Sequence, residues 1–362
     1  MQGKFVPSPL PVVKENNRIV SDPKNVAEIL AKHFAQVSSA ANYSPAFQQI
    51  RASTSVVPPV SSNTEAFNLP FSMEEMRNAL SGSSLTAPGE DGVRYEMISH
   101  LPPETQGFLL ETFNGLWVSH TSPDSWHTSV VIPSQKPGKD PEQPSSYRPI
   151  ALTSCICKLF ERMVNNRLIW YLESKNLLSN RQFGFRKNRS TLDPLLMLSR
   201  EISNAFASQN QVVGVFFDLE KAYDTTWRGG ILKQLASWGI GGHMFSFIQD
   251  FLSDRYLKVR VGSELSSPYL QEEGVPQGSV LSVTLFAIAI NSLMSHIPPG
   301  IQGSLFVDDF AIRSVPKNPN CYKCCCKLGQ FKRIQILCTK NKSYSFHTNS
   351  KERRSSYPLP KR

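Results

Sequence analysis

Apolar and polar residues along the N-terminal half follow the spacing of amphipathic helices. The pattern predicts a helix near residues 26–37, begun at residues 21–23, and a second helix that opens with a capping box at residues 72–75. Residues 103–120 read as a third helix. Further apolar positions at helical spacing are Leu159, Phe160, Met163, Val164, Leu168, Ile169 and Leu172. We interpret these last positions as core residues with no chemistry of their own.

Beyond residue 211 the pattern changes to strands interrupted by helices. The predicted segments are a strand at 212–218, helices at 231–236 and 244–252, strands at 258–261 and 268–272, and a long apolar helix from 279 to about 295. Two short apolar arms, at 304–307 and 310–312, then indicate a hairpin. The second half therefore predicts a sheet packed against helices.

Two adjacent carboxylates, Asp308 and Asp309, lie at the tip of the predicted hairpin. Their repulsion costs stability unless a cation lies between them, which suggests an Mg²⁺ site. Asp218 ends the strand at 212–218, where its side chain can lie beside such a hairpin. Three carboxylates can hold two divalent ions about 3.5 to 4 Å apart, as in nucleotide polymerases and some nucleases. Alternatively, Asp218 only starts a turn and Asp308-Asp309 is only a polar hairpin tip.

Composition favours a nucleic-acid partner without requiring one. The 362 residues carry a net charge of +10 and a pI near 9.2, which suits a protein that lies along a phosphate backbone, although a membrane surface would also attract it. No apolar run reaches the length of a membrane span, and the N-terminus lacks a signal-peptide pattern. We expect an intracellular protein of the nucleus or cytoplasm, not secreted and not in a membrane.

The seven cysteines agree with an intracellular location, because two lie in an apolar stretch and five crowd the tail. Cys321 and Cys324 have the spacing of half a zinc site, but no second pair follows, and His347 is the only nearby histidine. We expect reduced thiols here rather than a structural zinc. The tail cysteines are Cys321, Cys324, Cys325, Cys326 and Cys338.

Seven segments, in order along some 240 residues, resemble the reverse transcriptase of non-LTR retrotransposons, specifically the jockey-like mobile elements of arthropods. They are TAPGEDG at 86–92, KPGKDP at 136–141, YRPIAL at 147–152, QFGFRK at 182–187, FDLEKAYD at 217–224, GVPQGS at 274–279 and FVDD at 306–309. A group II intron maturase is a weaker match, because the segments around Lys136 and Asp218 are more similar to the jockey type.

The resemblance implies an RNA-directed DNA polymerase, a nucleotidyltransferase that adds deoxynucleotides to a DNA primer on an RNA template with two Mg²⁺ ions, which Mn²⁺ can replace. Asp218 and Asp308 match the main metal ligands, and Asp309 matches the second acid of the turn. Tyr223 matches the aromatic ring that excludes a 2′-hydroxyl, and its alternative role is to pack the sheet against a helix. Arg148 matches the arginine that binds the incoming triphosphate.

Other candidate residues surround the nucleotide and the template. Lys136 and Lys139 bracket a Pro-Gly turn and would assist at the triphosphate, unless they are solvated loop lysines. Gln277 and Gly278 would bring the backbone close to the template base, unless they form a plain loop before a helix. The expected single-strand track combines rings with cations. It consists of Phe183, Phe185, Arg186, Lys187 and Arg189.

The implied fold is mixed α/β (α+β): the fingers and palm of a right-hand polymerase, with an antiparallel palm sheet and packed helices. We divide the chain into a linker with a short helix (1–68), a helical N-terminal extension of the fingers (69–120), the fingers and palm (121–314) and a degenerate, basic, Cys-rich tail (315–362). No segment of this sequence matches the family's helical thumb or its N-terminal endonuclease. Lys351 resembles a lysine of a later palm strand only weakly. We therefore expect a truncated enzyme, with an inactive nucleic-acid-binding remnant as the alternative.

Overall fold

The structure of the chain is a computed structural model. It describes residues 11–83, 86–210, 212–219 and 221–314, together with the backbone of two later strands at 333–338 and 342–347. The chain divides into two compact units. The first comprises Met1–Leu178 and Tyr223–Ile290, and the second comprises Ser179–Ala222 and Asn291–Arg362.

The α-helices of the described residues vary from a single turn to 20 residues. They are α1 (Pro23–Val37), α2 (Pro45–Ser53), α3 (Met73–Ser81), α4 (Tyr95–Ser99), α5 (Pro103–Ser119), α6 (Asp124–His127), α7 (Cys155–Ser174), α8 (Leu192–Ala207), α9 (Arg228–Ser237), α10 (Gly242–Leu252) and α11 (Val280–Asn291). Short 3₁₀ turns cover Ala40–Asn42, Pro144–Ser146 and Ser292–His296. Within this part of the chain, no helix is long and apolar enough to cross a membrane.

The strands form a hairpin and two larger sheets. They are β1 (Val13–Glu15), β2 (Arg18–Val20), β3 (Thr128–Gln135), β4 (Tyr147–Leu152), β5 (Val213–Asp218), β6 (Tyr256–Val261), β7 (Glu264–Leu265), β8 (Tyr269–Leu270), β9 (Gln302–Phe306), β10 (Asp309–Ser314), β11 (Arg333–Cys338) and β12 (Lys342–His347).

The sheet of the first unit has the order β4-β3-β6-β7, and β8 also pairs with β6. Val131 of β3 lies opposite Ala151 in the antiparallel pair with β4 and opposite Val259 in the parallel pair with β6. Helix α1 covers this sheet, and its buried apolar residues share one core with these strands. Burial of that apolar side stabilises α1 far more than its intrinsic propensity does.

Helices α3, α5, α7 and α10 form the other core of the first unit. Its centre is Phe160 of α7, which stacks on Phe113 of α5 with ring centroids 4.9 Å apart and meets Phe247 of α10 edge-on at 5.0 Å. Trp117 is also buried, and its indole N–H donates to the Asn68 carbonyl at 3.0 Å. The aromatic rings fix α7 between α5 and α10. Helix α7 also carries the buried Glu161.

The second unit contains a wholly antiparallel sheet of order β12-β11-β5-β10-β9. Phe217 of β5 and Phe310 of β10 are register partners whose rings stack at 5.3 Å. Arg313 of β10 is buried and pairs with Glu201 of α8 at 3.1 Å, which ties this helix to the sheet. The sheet therefore holds β5 and the β9–β10 hairpin in a fixed register.

Local sequence signals predicted many of these elements correctly. The Asp22 side chain accepts the Asn25 N–H at the start of α1, and Ser72 and Glu75 form the predicted capping box of α3. The strand ending in Asp218 and the hairpin around Asp308 are confirmed. The strand predicted at 268–272 is shorter, since only Tyr269–Leu270 pairs, and the helix from 279 changes to a 3₁₀ turn after Asn291.

Residues 1–68 are more ordered than a linker with one short helix would be. Their described part contains the hairpin β1–β2 and the helices α1 and α2, and the side chains Val26 and Leu30 are fully buried. The sequence pattern predicted α1 alone, because β1, β2 and α2 are short elements with little periodicity. The four-part division of the chain stays a prediction, and the tail cysteines, His347 and Lys351 have side chains outside the described residues.

Candidate active site

The predicted acidic hairpin has the tightest connection that two antiparallel strands allow. Phe306 and Asp309 are register partners, so Val307 and Asp308 alone form the loop between β9 and β10. Val307 has a φ of 57°, a left-handed conformation that is costly for a β-branched residue and is normally given to glycine at this turn position. The loop that carries Asp308 is therefore strained.

Asp218 reaches the same corner of the sheet from the neighbouring strand. It is the last residue of β5 and the register partner of Asp309, the first residue of β10. Asp308 precedes Asp309 directly in the turn. Two strand ends and one turn thus bring the three predicted acids to one corner of the second unit.

The three carboxylates interact unfavourably in the absence of a cation. Partial burial raises the pKa of Asp309 above its ordinary value, and the negative charges of Asp308 and Asp218 raise it further. Each of these causes opposes ionisation of Asp309. An added divalent cation would reverse the two charge effects.

The donor chemistry of this corner fits Mg²⁺, since all three side chains offer hard carboxylate oxygens. Asp218 and Asp309 are exposed and Asp308 is half-buried, so an ion can reach them from solvent. Among the residues that the structure describes, however, no three or more His, Cys, Asp or Glu side chains are already arranged around one ion position. The acids share a corner, and side-chain rotations would have to complete the coordination.

The QFGFRK segment lies along the outer edge of this hairpin. The Phe183 N–H donates to the Leu305 carbonyl at 2.8 Å, and the Leu305 N–H donates to the Arg181 carbonyl at 2.9 Å. Gly184 then packs so closely on the turn that a Cβ placed on it would overlap the backbone nitrogen and a side-chain methyl of Val307. This contact was not predictable from the sequence, in which its one signal is the glycine itself.

The candidate template residues take different positions in the second unit. Phe183 is only 2% exposed, so its ring is packed inside rather than offered to a base, which corrects the expectation of two stacking rings. Phe185 is 55% exposed with a φ of 57°, and Lys187 is exposed. The Arg186 guanidinium donates to the Ser179 carbonyl at 2.7 Å.

Arg189 lies over the Phe183 ring at 5.4 Å from its centroid. It also donates to the Asn180 carbonyl at 3.4 Å. Arg186 and Arg189 thus brace the segment through backbone carbonyls and a ring, while Phe185 and Lys187 present the free surface.

The candidate triphosphate residues lie in the first unit. Arg148 is exposed on β4, where it is the register partner of Ser134. Lys139 is exposed in the turn at Gly138, whose φ is 71°. The Lys136 ammonium instead donates to the Ser145 carbonyl at 2.8 Å, so this lysine also fastens the base of the β3–β4 loop.

Gln277 and Gly278 form a turn that is firmly held within the first unit. The Gln277 amide donates to an Asp224 carboxylate oxygen at 2.8 Å, and the Gln277 carbonyl accepts the Ala151 N–H at 2.7 Å. Gly278 has a φ of 130° and approaches the Ala151 carbonyl so closely that a Cβ would overlap it. The bond by which Asp224 orients Gln277 was not predicted from the sequence.

Tyr223 stacks on Phe286 of α11, with centroids 4.6 Å apart and planes at 20°. Its carbonyl accepts the Val275 N–H at 2.8 Å. The ring therefore packs on a helix, and its role at the sugar stays a prediction. As a whole residue, Tyr223 is half-buried.

The family found by comparison with known proteins agrees with the residues of the site. The family model described as reverse transcriptase (RNA-dependent DNA polymerase) matches residues 134–343. The "Probable RNA-directed DNA polymerase from transposon BS" of Drosophila melanogaster is 32% identical over 60% of this chain and 24% of its own length. The "RNA-directed DNA polymerase from mobile element jockey" of the same species is 30% identical over 69% of this chain and 28% of its own length.

A more distant relative is the "Retrovirus-related Pol polyprotein from type-1 retrotransposable element R2" of Popillia japonica, 29% identical over 65% of this chain and 32% of its own length. The chain thus spans a quarter to a third of the length of these curated relatives. The family match itself covers more than half of the chain and includes the whole acidic corner. The chain belongs to the reverse transcriptase (RNA-dependent DNA polymerase) family.

Proposed function

We propose that this chain performs the polymerase reaction of a non-LTR retrotransposon, adding deoxynucleotides to the 3′-hydroxyl of a DNA primer on an RNA template. The observation that carries the proposal is the register of Asp218 with Asp309, one residue from Asp308, in a member of the reverse transcriptase family. An intracellular location, in the nucleus or cytoplasm, follows from these nucleic-acid partners.

In this proposal the antiparallel sheet of β5, β9 and β10 is the core of the palm, and the β3–β4 hairpin belongs to the fingers. Asp218 and Asp308 would hold two Mg²⁺ ions, and Asp309 would add negative charge beside them. When bound, the ions lower the pKa of the primer hydroxyl and neutralise charge on the leaving pyrophosphate. The two-residue turn and the end of β5 bring the backbones of the three acids to one corner, from which side-chain rotation would complete the ligand set.

The substrate roles are assigned to side chains that the structure leaves accessible. Arg148 binds the triphosphate through paired hydrogen bonds, and Lys139 adds a second positive charge. Tyr223 contacts the sugar with its ring and excludes a 2′-hydroxyl. Phe185 and Lys187 contact the template through stacking and phosphate attraction, and the Gln277-Gly278 turn supports the template base.

One observation favours a second candidate function, an inactive nucleic-acid-binding remnant. The described acidic residues are not yet arranged around an ion position. A chain whose carboxylates never converge would keep the basic surface and the fold but would not catalyse phosphoryl transfer.

Primer extension separates the two functions. The folded chain is incubated with a DNA primer on an RNA template, deoxynucleotides and Mg²⁺, beside Asp308→Ala and the control Glu264→Ala, which changes an exposed acid of β7. The proposal predicts extension by the wild type and by the control and none by Asp308→Ala. A wild type that binds the primed template but never extends it would establish the remnant instead.

A further inference from the structure

Glu161, on helix α7, is a buried acid that the proposed mechanism does not use. Its side chain is enclosed, since the residue is 1% exposed. One carboxylate oxygen accepts the Ser279 hydroxyl at 2.5 Å and the Val280 N–H at 2.8 Å, with the Leu281 N–H at 3.3 Å. A residue 118 positions earlier in the chain thus satisfies the first amides of α11.

These hydrogen bonds fix the start of α11. The first N–H groups of a helix have no partner within the helix, and the helix dipole places partial positive charge there, so a buried carboxylate is strongly attracted. Charge-assisted hydrogen bonds of this kind are roughly twice as strong as neutral ones. The position of α11 along its axis is therefore tied to α7.

The other carboxylate oxygen is also occupied. It accepts the Cys157 thiol at 3.2 Å. Burial and the negative charge of Glu161 raise the pKa of Cys157 well above its ordinary value, so the thiol stays protonated and remains a donor. Arg255 is buried nearby; burial lowers its pKa, and the negative charge of Glu161 opposes that shift. The carboxylate has donors on both oxygens and a buried counter-charge.

The chain immediately before α11 is the Gln277-Gly278 turn. Ser279, which donates to Glu161, follows Gly278 directly, so holding Ser279 also holds the end of the turn. The Gln277 carbonyl of this turn accepts the Ala151 N–H of β4, and Ala151 lies three residues from Arg148. A continuous set of contacts runs from Glu161 through the turn to the strand that carries the candidate triphosphate ligand.

We propose that Glu161 is a positioning residue that sets, through the start of α11, both the template-supporting turn and the strand of the nucleotide-binding arginine. This proposal rests on the proposed function, which supplies the roles of Gln277 and Arg148. Glu161 touches neither substrate nor metal. Its predicted effect is on how well an incoming nucleotide is bound and aligned.

The first test is kinetic and uses a matched pair of variants. Glu161→Gln keeps the size of the side chain but removes its charge and one acceptor oxygen. Glu75→Gln is the control, because Glu75 also caps a helix and also binds α7, through Arg167 at 2.6 Å, but lies outside the contacts around the turn. We expect kcat/KM for the templated deoxynucleotide to fall by about 10- to 10²-fold in Glu161→Gln, mainly through KM.

Glu75→Gln should lower the melting temperature, because it weakens the partly buried pair with Arg167. It should not move either kinetic constant by more than about twofold, since Glu75 lies outside the contacts around the turn. Glu161→Asp retains the charge and should recover part of the lost kcat/KM. The proposal is overturned if Glu161→Gln changes stability alone, with KM and kcat like those of Glu75→Gln.

The second test does not require activity. Hydrogen exchange of the substrate-free chain should show faster exchange of the Ala151, Val280 and Leu281 amides in Glu161→Gln and not in Glu75→Gln, because Ala151 reports the bond to the turn. Unchanged protection of Ala151 would refute the positioning role. If the wild type itself fails to extend primers, the proposed function fails, and the exchange result still decides whether Glu161 holds the turn.

Discussion

Glu161 and Asp309 are both carboxylates beside a tight turn, but their surroundings differ in nearly every respect. Glu161 is buried and accepts hydrogen bonds from a thiol, a hydroxyl and two backbone amides. Partial burial raises the pKa of Asp309, and the negative charges of Asp308 and Asp218 raise it further. The hydrogen bonds to the first carboxylate stabilise the fold. The ionised form of the second carboxylate is instead destabilised by neighbouring negative charges.

The comparison separates residues that build the scaffold from residues that await a ligand. A carboxylate whose two oxygens already accept hydrogen bonds has no oxygen left for a metal. Carboxylates that repel one another are stabilised when a cation binds them. The turn at Val307 extends the contrast, because the acidic hairpin also carries backbone strain. Strain and repulsion at one corner are typical of a functional site whose stability comes from the rest of the fold.

Removing an acid of the strained corner should have the largest effect on activity. We expect Asp218→Asn to reduce primer extension by about 10³-fold or more, because a metal ligand supports several kcal/mol of transition-state stabilisation. Steady-state nucleotide incorporation measures this loss. Asp124→Asn, at an exposed helix start, is the control, and equal rates in both variants would remove Asp218 from the site.

Disturbing the support of the corner should have the next largest effect. Gly184→Ala introduces a Cβ that overlaps Val307, so the turn must shift, and we expect a loss of about 1–3 kcal/mol in stability and a 10- to 10²-fold loss of extension. Gly107→Ala in α5 is the matched control, since no atom lies within 4 Å of its Cβ and alanine favours a helix. Chemical denaturation and incorporation rates would show whether the two variants differ.

Relieving the strain tests whether it is stored in the folded protein. Val307→Gly should raise the free energy of unfolding by about 1 kcal/mol, because glycine adopts a positive φ without steric cost. Urea denaturation of the metal-free chain measures the change. A decrease in stability would mean that contacts of the valine side chain outweigh the strain.

The smallest expected effect concerns pH. Because the pKa of Asp309 is raised in the folded chain, its ionisation destabilises the metal-free fold above that pKa, and the penalty disappears as the pH falls toward the ordinary value of 3.8. Asp308→Asn should therefore stabilise the metal-free protein at pH 7 by about 0.5 kcal/mol or less, since exposed charges are screened. The gain should shrink as the pH falls toward 3.8 and at high salt, and a constant gain would exclude repulsion as its cause.

Local signals in the sequence predicted the elements that depend on neighbouring residues. Asp22 and the Ser72–Glu75 pair mark helix starts within one turn, and the apolar arms around Asp308 mark a hairpin without any distant partner. Motif order along the chain then indicated the family that the comparisons established. The acids were predictable for the same reason, because each ends or joins a recognisable strand.

Distant contacts were not predictable in this way. Glu161 lies within an apolar helical run that sequence analysis assigned to the core alone, and its role depends on amides more than a hundred residues later. The close approach of Gly184 to Val307 also joins separate segments, as does the pairing of β3 with β6. Single-sequence patterns carry no information about such partners, so the supporting residues of the site emerged only from the structure.

Direct metal binding tests the central claim, that the acidic corner holds divalent ions. Mn²⁺ is titrated into the folded wild type and into Asp308→Ala, and bound Mn²⁺ is measured by the loss of the free-ion signal in electron paramagnetic resonance. The account predicts saturable binding in the wild type that Asp308→Ala abolishes. Equal binding by both proteins, or no binding by a folded wild type, would contradict it.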